Sequence, residues 1–295
     1  MYAITGATGN TGKRIALALL KAGKQVRIIS RDAEKAKELT EQGAELVLGD
    51  TTDETVLTKA FEGVEAVYAM IPPNYQSDAF TQYQENTARA IANAIKANSV
   101  KYAVTLSSQG AHLSKGSGVV LGLHKMEEIV NTIEGLNVLH LRPTYFMENT
   151  LGMVGLLKES GIMGAPVKAD LSFPVIATQD IADYAVKRLL ALDFAGSSTQ
   201  DLLGSREVTY QEMAKVYGTI VGKPETTYVE FPSEDFKQAI MNGMGMSENV
   251  ADMFVEFIES MNDGRAMVAK RTEESTTPTT IEEFAETFKY VYSLN

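Results

Sequence analysis

The stretch Ile4-Thr5-Gly6-Ala7-Thr8-Gly9-Asn10-Thr11-Gly12 decides the fold of this chain, because its glycines recur every three residues between an apolar run and an amphipathic one. A turn this tight favours residues without a Cβ atom and lets the backbone approach a pyrophosphate. The helix that follows presents free N–H groups and its positive dipole end to that anion. A purely structural turn is the alternative. The predicted cofactor contacts in this stretch are Gly6, Thr8, Gly9, Asn10, Thr11 and Gly12.

The glycine stretch opens a regular alternation of short apolar runs and helical patterns. The predicted strands are 2–5, 26–30, 45–48, 66–71, 100–106 and 138–141, and the predicted helices between them are 11–22, 33–42, 53–61, 77–97 and 124–133. This order predicts an α/β fold with a Rossmann-type, doubly wound parallel sheet and right-handed crossovers.

The end of the second predicted strand distinguishes between dinucleotides. An acidic residue there favours the ribose hydroxyls of NAD, whereas cations favour the 2′-phosphate of NADP. This chain has Arg31 at that point and Lys35 one turn later, and Asp32 between them is also a candidate helix N-cap. We predict that NADP(H) is preferred and that NAD(H) is possible. The alternative is that both cations are solvated surface charges.

The ends of the remaining strands supply the other predicted cofactor contacts. Asp50 follows the third strand, where a carboxylate accepts from the adenine amino group or, alternatively, caps a helix. The residues expected beside the ribose and the nicotinamide are Met70, Ile71, Pro72, Ser107, Ser108 and Pro143.

The alternation fades after a predicted helix at 179–192 and a strand at 200–203. We expect residues 1–205 to form the NAD(P)-binding domain and residues 206–295 a smaller, mainly helical lobe at the substrate pocket, across a soft boundary that allows segments to interleave. Thr209 and Thr280 open capping boxes, each with a Glu three residues later. Ser247 and Ser77 are predicted N-caps of further helices.

Bulk composition excludes several classes of protein. The net charge of −11 disfavours binding to nucleic acid or to an anionic membrane surface. There is no Cys, and the three His residues are scattered, so we predict no metal site. We see no signal peptide and no apolar run long enough to span a membrane, and we expect a cytoplasmic protein.

Several motifs resemble those of the NmrA-like atypical short-chain dehydrogenase/reductase family, in particular its bacterial NAD(P)H:quinone oxidoreductases and triphenylmethane-dye reductases. The similarity spans nearly the whole chain. The motifs that carry it are GATGNTG at 6–12, Ser30-Arg31-Asp32 with Lys35, Gly49-Asp50, Ser107-Ser108, His124 with Glu128, LRPTYFMEN at 141–149, TQDIAD at 178–183 and PTTIEEF at 278–284.

The chain lacks the Tyr-x-x-x-Lys dyad that ordinary members of the wider superfamily use for proton transfer. None of its 12 Tyr residues has a Lys four positions later. By register, His124 takes the Lys position and Val120 the Tyr position, so the usual carbonyl–alcohol chemistry is not expected. The resemblance implies the same replacement by His in its members. Candidate catalytic residues are His124, near the acceptor or the nicotinamide ribose, and Tyr145 and Phe146, as stacking partners for a flat acceptor.

Three functions compete. We favour two-electron reduction of quinone-like or conjugated aromatic acceptors by NAD(P)H, because a quinone becomes a stabilised hydroquinone anion and needs no strong acid. A non-catalytic NAD(P)-binding redox sensor, as the resemblance also implies, fits the missing Tyr equally well. Nucleotide-sugar epimerases and dehydratases share the fold but need the absent dyad. His124 and the two stacking residues also have structural alternatives, and a homodimer through 77–99 and 124–133 is possible.

Overall fold

A computed structural model describes residues 1–294, in which strands and helices alternate as the sequence predicts. In chain order, the strands are β1 (Tyr2–Ile4), β2 (Val26–Ser30), β3 (Glu45–Leu48), β4 (Ala66–Ala69), β5 (Tyr102–Leu106), β6 (Asn137–Pro143), β7 (Tyr145–Phe146), β8 (Ile162–Ala165), β9 (Phe173–Ile176), β10 (Ser197–Leu202), β11 (Glu207–Val208) and β12 (Thr227–Glu230).

The helices cover both faces of the main sheet and build most of the C-terminal lobe. They are α1 (Asn10–Lys21), α2 (Ala33–Glu41), α3 (Glu54–Ala60), α4 (Phe80–Ala97), α5 (Leu121–Val130), α6 (Val154–Ser160), α7 (Thr178–Ala191), α8 (Tyr210–Ile220), α9 (Ser233–Met244), α10 (Glu248–Asn262) and α11 (Ile281–Leu294), with short 3₁₀ segments at Gly118–Val120 and Met147–Met153.

The main sheet has seven parallel strands in the order β10-β6-β5-β4-β1-β2-β3. The chain first moves outward from β1 through β2 to β3, and then returns to place β4 on the other side of β1. This reversal leaves a crevice outside the carboxyl ends of β1 and β4, which is where ligands bind in such sheets. The predicted Rossmann-type, doubly wound fold is confirmed.

Two apolar layers hold the helices on the sheet. Alternating strand residues point to opposite faces, so Ile4 packs with Leu19 of α1 and Ile181 of α7, whereas Ala3 on the other face packs with Ile91 of α4 and Met126 of α5. Each layer contributes to stability by removing apolar surface from water. The helices therefore fix the loops at the carboxyl edge of the sheet.

A third apolar cluster lies outside the sheet. It combines residues between Met147 and Ala177 with residues between Val208 and Phe288. Two small sheets accompany it, β11-β9-β7 and β12-β8, and neither was predicted, because strands of two to four residues carry little periodicity. The boundary at residue 205 stays a prediction; the cluster draws on both sides of it.

The start of α7 joins three distant stretches of chain. Glu148 accepts from the Thr178 amide at 2.9 Å and from its hydroxyl at 2.5 Å. Asp180 is buried, and its carboxylate accepts from the Thr279 amide at 3.0 Å and from the Thr279 hydroxyl at 2.6 Å. Burial raises the pKa of Glu148. Three of the motifs that carry the family resemblance therefore meet in one polar junction.

The predicted helix caps are confirmed with one exception. Thr209 accepts from the Glu212 amide, and Ser247 accepts from the Val250 amide at 3.2 Å. Thr280 and its Glu partner form a reciprocal capping box. The prediction for Ser77 is wrong, because α4 begins three residues later at Phe80. Among residues 1–294, none of the helices combines the length and the apolar character that a membrane span requires.

Candidate active site

The glycine turn between β1 and α1 is packed against itself. Gly6 has φ +62°, and a Cβ atom there would overlap the Met70 side chain. A Cβ atom on Gly12 would overlap the Gly6 carbonyl oxygen. At Gly9, which is exposed, a Cβ atom would lie 3.3 Å from that oxygen. Gly6 and Gly12 are therefore required by the turn itself, whereas Gly9 leaves an open backbone surface for a ligand.

The N-terminus of α1 is open to solvent. Its N-cap is Gly9, which has no side chain to accept from the first helical N–H groups, and its first turn contains no acidic residue. Thr8 and Asn10 are also exposed. Thr11 is buried instead, and its hydroxyl accepts from the Tyr68 hydroxyl at 3.0 Å. The backbone of residues 8–10 and the side chains of Thr8 and Asn10 are therefore accessible to an anion, while the Thr11 side chain serves the fold.

The end of β2 places two cations beside a helix that caps itself. The Asp32 carboxylate accepts from the Glu34 amide at 2.9 Å and from the Lys35 amide at 3.2 Å. Asp32 is therefore the N-cap of α2, as one of the two sequence interpretations held. Arg31 and Lys35 are exposed, and the Arg31 side chain retains 75% of its surface.

A cavity of about 140 Å³ joins the glycine turn to these cations. It is lined by Gly6, Thr8, Ile29, Ser30, Arg31, Asp32, Lys35, Gly49, Thr51 and Pro72. Five predicted contacts, namely Gly6, Thr8, Arg31, Lys35 and Pro72, therefore share one space, although they come from three strand ends. Such a space can hold a phosphate on two cations next to an open helix start.

Asp50 stands at the same edge of the sheet. Its Oδ1 accepts from the Thr52 amide at 2.9 Å and from its hydroxyl at 3.0 Å, and its Oδ2 lies 3.5 Å from Arg31 Nη1. The N-cap of α3 is Asp53, so the alternative interpretation of Asp50 as that cap is wrong. The Asp50 carboxylate remains half-buried beside the cavity.

The crevice between β1 and β4 is fixed by Thr5. The Thr5 hydroxyl accepts from the Met70 amide at 2.8 Å and donates to the Met70 carbonyl at 3.1 Å. Met70 and Pro72 are half-buried at the crevice, whereas Ile71 is buried in the layer under α3 and α4. The structure therefore brings Met70 and Pro72 to the glycine turn and turns the Ile71 side chain away.

The ends of β5 and β6 are fastened to each other by polar contacts. Ser107 is buried, and its hydroxyl donates to Glu127 Oε1 at 2.5 Å. The backbone N–H of Gln109 donates to the carbonyl of Pro143 at 2.9 Å, and Pro143 is itself buried. Of the two predicted serines, Ser108 is the more accessible. The Ser107 hydroxyl proton is thus committed to the protein rather than to an acceptor.

Glu127 lies at this site but was not predicted from the sequence. Its carboxylate pairs with Arg142, with Nε to Oε1 at 2.9 Å and Nη2 to Oε2 at 2.5 Å, and only 5% of the residue is exposed. Hydrogen bonding to Glu127 raises the pKa of the Arg142 guanidinium. The signal was present, because Glu127 lies beside Met126 on the buried side of α5. The carboxylate in this stretch that reaches the strand ends is therefore Glu127.

Tyr145 and Phe146 point in opposite directions from β7. Tyr145 packs in the outer cluster, where its hydroxyl accepts from the Tyr210 hydroxyl at 2.8 Å and its ring meets Phe173 edge-on at 5.7 Å. Burial raises the pKa of Tyr145. Phe146 packs on the layer that also contacts Met70. The structure does not bring the two rings together on one acceptor, and Phe146 is the one on the crevice side.

His124 has both ring nitrogens turned toward protein. Nδ1 donates to the Ala111 carbonyl at 2.8 Å. Nε2 is buried 3.3 Å from Glu128 Oε1 and, within residues 1–294, forms no hydrogen bond. A hydrogen bond from Lys125 lowers the pKa of Glu128. His124 therefore holds the loop after β5 through Nδ1, and its role near the acceptor stays a prediction.

The other two His residues lie in separate places. His112 Nε2 lies 3.1 Å from the Arg265 carbonyl, and the buried ring of His140 lies between Thr105 and Asn131. Burial lowers the pKa of His140 to about 4. In the part of the chain that the structure describes, no group of three or more His, Cys, Asp or Glu residues is arranged to hold a metal ion.

The fold and this edge of the sheet define a Rossmann-type protein with a dinucleotide-binding turn. Residues 2–285 match the NmrA-like family, and the chain belongs to that family. It is 30% identical over 260 residues to an NAD(P)H azoreductase from Xenophilus azovorans, and the aligned region covers 87% of this chain and 85% of that protein.

Two solved structures extend the similarity. An NADPH-dependent quinone oxidoreductase from Escherichia coli, complexed with NADPH, superimposes with a TM-score of 0.80 at 25% identity, covering 97% of this chain and 99% of that one. Triphenylmethane reductase from Citrobacter sp., complexed with NADP(H), superimposes with a TM-score of 0.81 at 22% identity, covering 98% of this chain and 100% of that one. The predicted resemblance to these groups is confirmed.

Proposed function

We propose that this chain is an NADPH-dependent oxidoreductase that reduces quinone-like or conjugated aromatic acceptors by two electrons. The observation that carries the proposal is the cavity in which the glycine turn meets Arg31 and Lys35. The relatives support it, since they are named as an azoreductase, a quinone oxidoreductase and a triphenylmethane reductase.

The residues present fit a phosphorylated dinucleotide. The open start of α1 and the bare backbone at Gly9 suit a pyrophosphate, because its charge meets the helix dipole and the N–H groups of the first turn. Arg31 and Lys35 suit a 2′-phosphate, while Asp32 uses its Oδ1 to cap α2. NADP(H) is therefore preferred over NAD(H).

The chemistry that the cofactor supplies when bound is hydride donation. The chain itself offers no acid at the position where a Tyr would stand, because that residue is the buried Val120. Burial raises the pKa of Tyr145, whose ring packs in the outer cluster, and the Ser107 hydroxyl donates its proton to Glu127. Phe146, on the crevice side of β7, is left to orient a flat acceptor and exclude water. An acceptor whose reduced form is a stabilised anion needs no more than this.

The direct test is NADPH consumption by the purified protein with benzoquinone, menadione and an azo dye, each repeated with NADH. Turnover that depends on the acceptor and favours NADPH supports the proposal. Binding of NADPH without turnover of any acceptor would instead favour a redox sensor, and loss of both would overturn the cofactor assignment.

His124 is proposed as a positioning residue, and this is testable by substitution. For His124→Ala we expect kcat to fall by less than about tenfold with an unchanged pH profile. The substitution removes one hydrogen bond to Ala111 but does not remove a proton-transfer step. His112→Ala is the matched control. A loss of about 100-fold or more, together with loss of one limb of the pH profile, would identify His124 as the acid.

A further inference from the structure

A second, larger cavity adjoins the first and extends into the C-terminal lobe. Its volume is about 740 Å³, and it shares Arg31 with the smaller cavity. It is lined by Arg31, Asp50, Thr52, Pro73, Asn74, Tyr75, Gln76, Tyr83, Asn86 and Met244. All but one of these residues belong to the sheet half of the chain. The exception is Met244, the last residue of α9.

Two large apolar side chains face this otherwise polar cavity. Met244 is 61% exposed and Tyr75 is 38% exposed. Apolar surface of this size in a concave site is stabilised when a flat ring covers it, and both thioethers and aromatic rings pack well on such rings. The carboxylate of Asp50 and the guanidinium of Arg31 lie on the same cavity wall. The lining therefore suits a planar group with apolar faces and polar edges.

The loop that carries Tyr75 is held both by α4, where the Tyr83 hydroxyl donates to the Pro72 carbonyl at 2.8 Å, and by the start of α10. The Ser247 amide donates to the Tyr75 carbonyl at 2.9 Å, and its hydroxyl donates to the Ser77 carbonyl at 2.7 Å. The Phe80 amide, at the start of α4, donates to Asn249 Oδ1 at 2.9 Å. Asn249 thus takes the place that the sequence assigned to Ser77.

Aromatic packing reinforces these hydrogen bonds. The Tyr75 ring lies 5.6 Å from the Phe254 ring of α10 and 6.3 Å from the Phe80 ring of α4. Phe80 in turn packs with Val250 and Met246. Gly245, at φ +64°, ends α9 and turns the chain directly from Met244 into Ser247. One turn of the lobe therefore both supplies Met244 and positions the loop of Tyr75.

We propose that the turn between α9 and α10, through Met244, Ser247 and Asn249, forms the outer wall of the pocket for the adenine ring of the cofactor. This inference rests on the proposed function, because it assumes a dinucleotide on the glycine turn. Met244 contacts the adenine face; Ser247 is a positioning residue that acts through Tyr75, and Asn249 one that acts through Phe80, on which the Tyr75 ring packs. The adenosine end of the site is thereby completed by residues about 235 positions away from the glycine turn.

The test measures binding of 2′,5′-ADP, which carries the adenosine and the 2′-phosphate but no nicotinamide. By calorimetry we expect Met244→Ala and Asn249→Ala each to weaken 2′,5′-ADP about fivefold. Leu190→Ala, an equally apolar truncation at an exposed position on α7, is the control and should leave binding unchanged. Met244 is exposed, so its substitution tests the wall without disturbing the fold.

The outcomes separate this wall from the proposed function. Unchanged 2′,5′-ADP binding in Met244→Ala and Asn249→Ala, in a protein that still binds and oxidises NADPH, would overturn the wall alone. Absence of 2′,5′-ADP binding by the unsubstituted protein would overturn the cofactor assignment and the wall together. A matching loss in Leu190→Ala would also overturn the wall, because the effect would then not be specific to the cavity.

Discussion

The first two helices of the chain begin in opposite ways. α2 starts at Asp32, whose carboxylate accepts from two amides of the first turn, and Glu34 follows on the helix. α1 starts at Gly9, which has no side chain, and its first turn carries no acid. Both helices follow neighbouring parallel strands of the same sheet, so both begin at its carboxyl edge.

The difference shows how a helix start is either closed for stability or left open for a ligand. At α2 the N–H groups are satisfied within the protein and the dipole is met by acidic groups. At α1 these groups depend on water or on an anion from outside. The chain therefore leaves open the helix start that we propose as the phosphate site, and at the start of the capped helix it offers a ligand the exposed side chains of Arg31 and Lys35.

The largest effect should come from making the start of α1 resemble that of α2. In Gly9→Asp we expect NADPH binding to weaken by about 100-fold, because a carboxylate would face the pyrophosphate. The free protein should become more stable by about 0.5 kcal/mol, since the new side chain caps the helix. Titration of NADPH fluorescence and urea unfolding measure the two effects.

Gly9→Asn separates charge from space in that experiment. It supplies a cap of similar size without the negative charge, so it should weaken NADPH by about tenfold only. If Gly9→Asp bound NADPH as tightly as the unsubstituted protein, the open helix start would not be the phosphate site.

A smaller effect is expected from the cations at the start of α2. In the double variant Arg31→Ala/Lys35→Ala, binding of NADPH should weaken about 30-fold and binding of NADH less than threefold, because only NADPH has a 2′-phosphate to lose. Lys37→Ala, an exposed cation on the same helix outside the cavity, is the control. Equal losses for the two cofactors would show that these residues do not select the phosphate.

The smallest effect concerns the cap of α2 itself. Asp32→Ala should lower the free energy of unfolding by about 1 kcal/mol, because the amides of Glu34 and Lys35 lose their acceptor. NADPH binding should change by less than about threefold, and Asp32→Asn should retain most of the stability. Unchanged stability combined with a loss of NADH binding would instead assign Asp32 to the ribose.

Features with a local cause were predictable from the sequence. The glycine spacing, the strand ends and the caps at Asp32, Thr209 and Ser247 all depend on residues within one or two turns of each other, and the structure has them. Ser77 had the right local pattern as well. Asn249, 169 residues after Phe80, supplies the hydrogen bond at the start of α4 instead.

Features that depend on distant packing were not predictable. The pair β8–β12 joins segments about 65 residues apart, and nothing within either strand specifies its partner. Tyr145 and Phe146 were expected to act together, but alternation along β7 sends them to different clusters. Glu127 was not predicted as a site residue, because its role depends on the ion pair with Arg142 and only the folded sheet brings the two side chains together.

The junction at the start of α7 has a consequence for the order of events during synthesis. Asp180 finds its hydrogen-bond partner in Thr279, 99 residues later, and Glu148 closes on Thr178 from 30 residues earlier. When the chain emerges from the ribosome in the N-to-C direction, the glycine turn and all seven strands of the main sheet are synthesised long before Thr279. Until then, Asp180 must stay hydrated or bind another donor, because an unpaired carboxylate cannot be buried. We therefore expect α7 to pack completely only after the last fifteenth or so of the chain has been synthesised. Hydrogen exchange at the Thr279 amide measures when its hydrogen bond to Asp180 has formed.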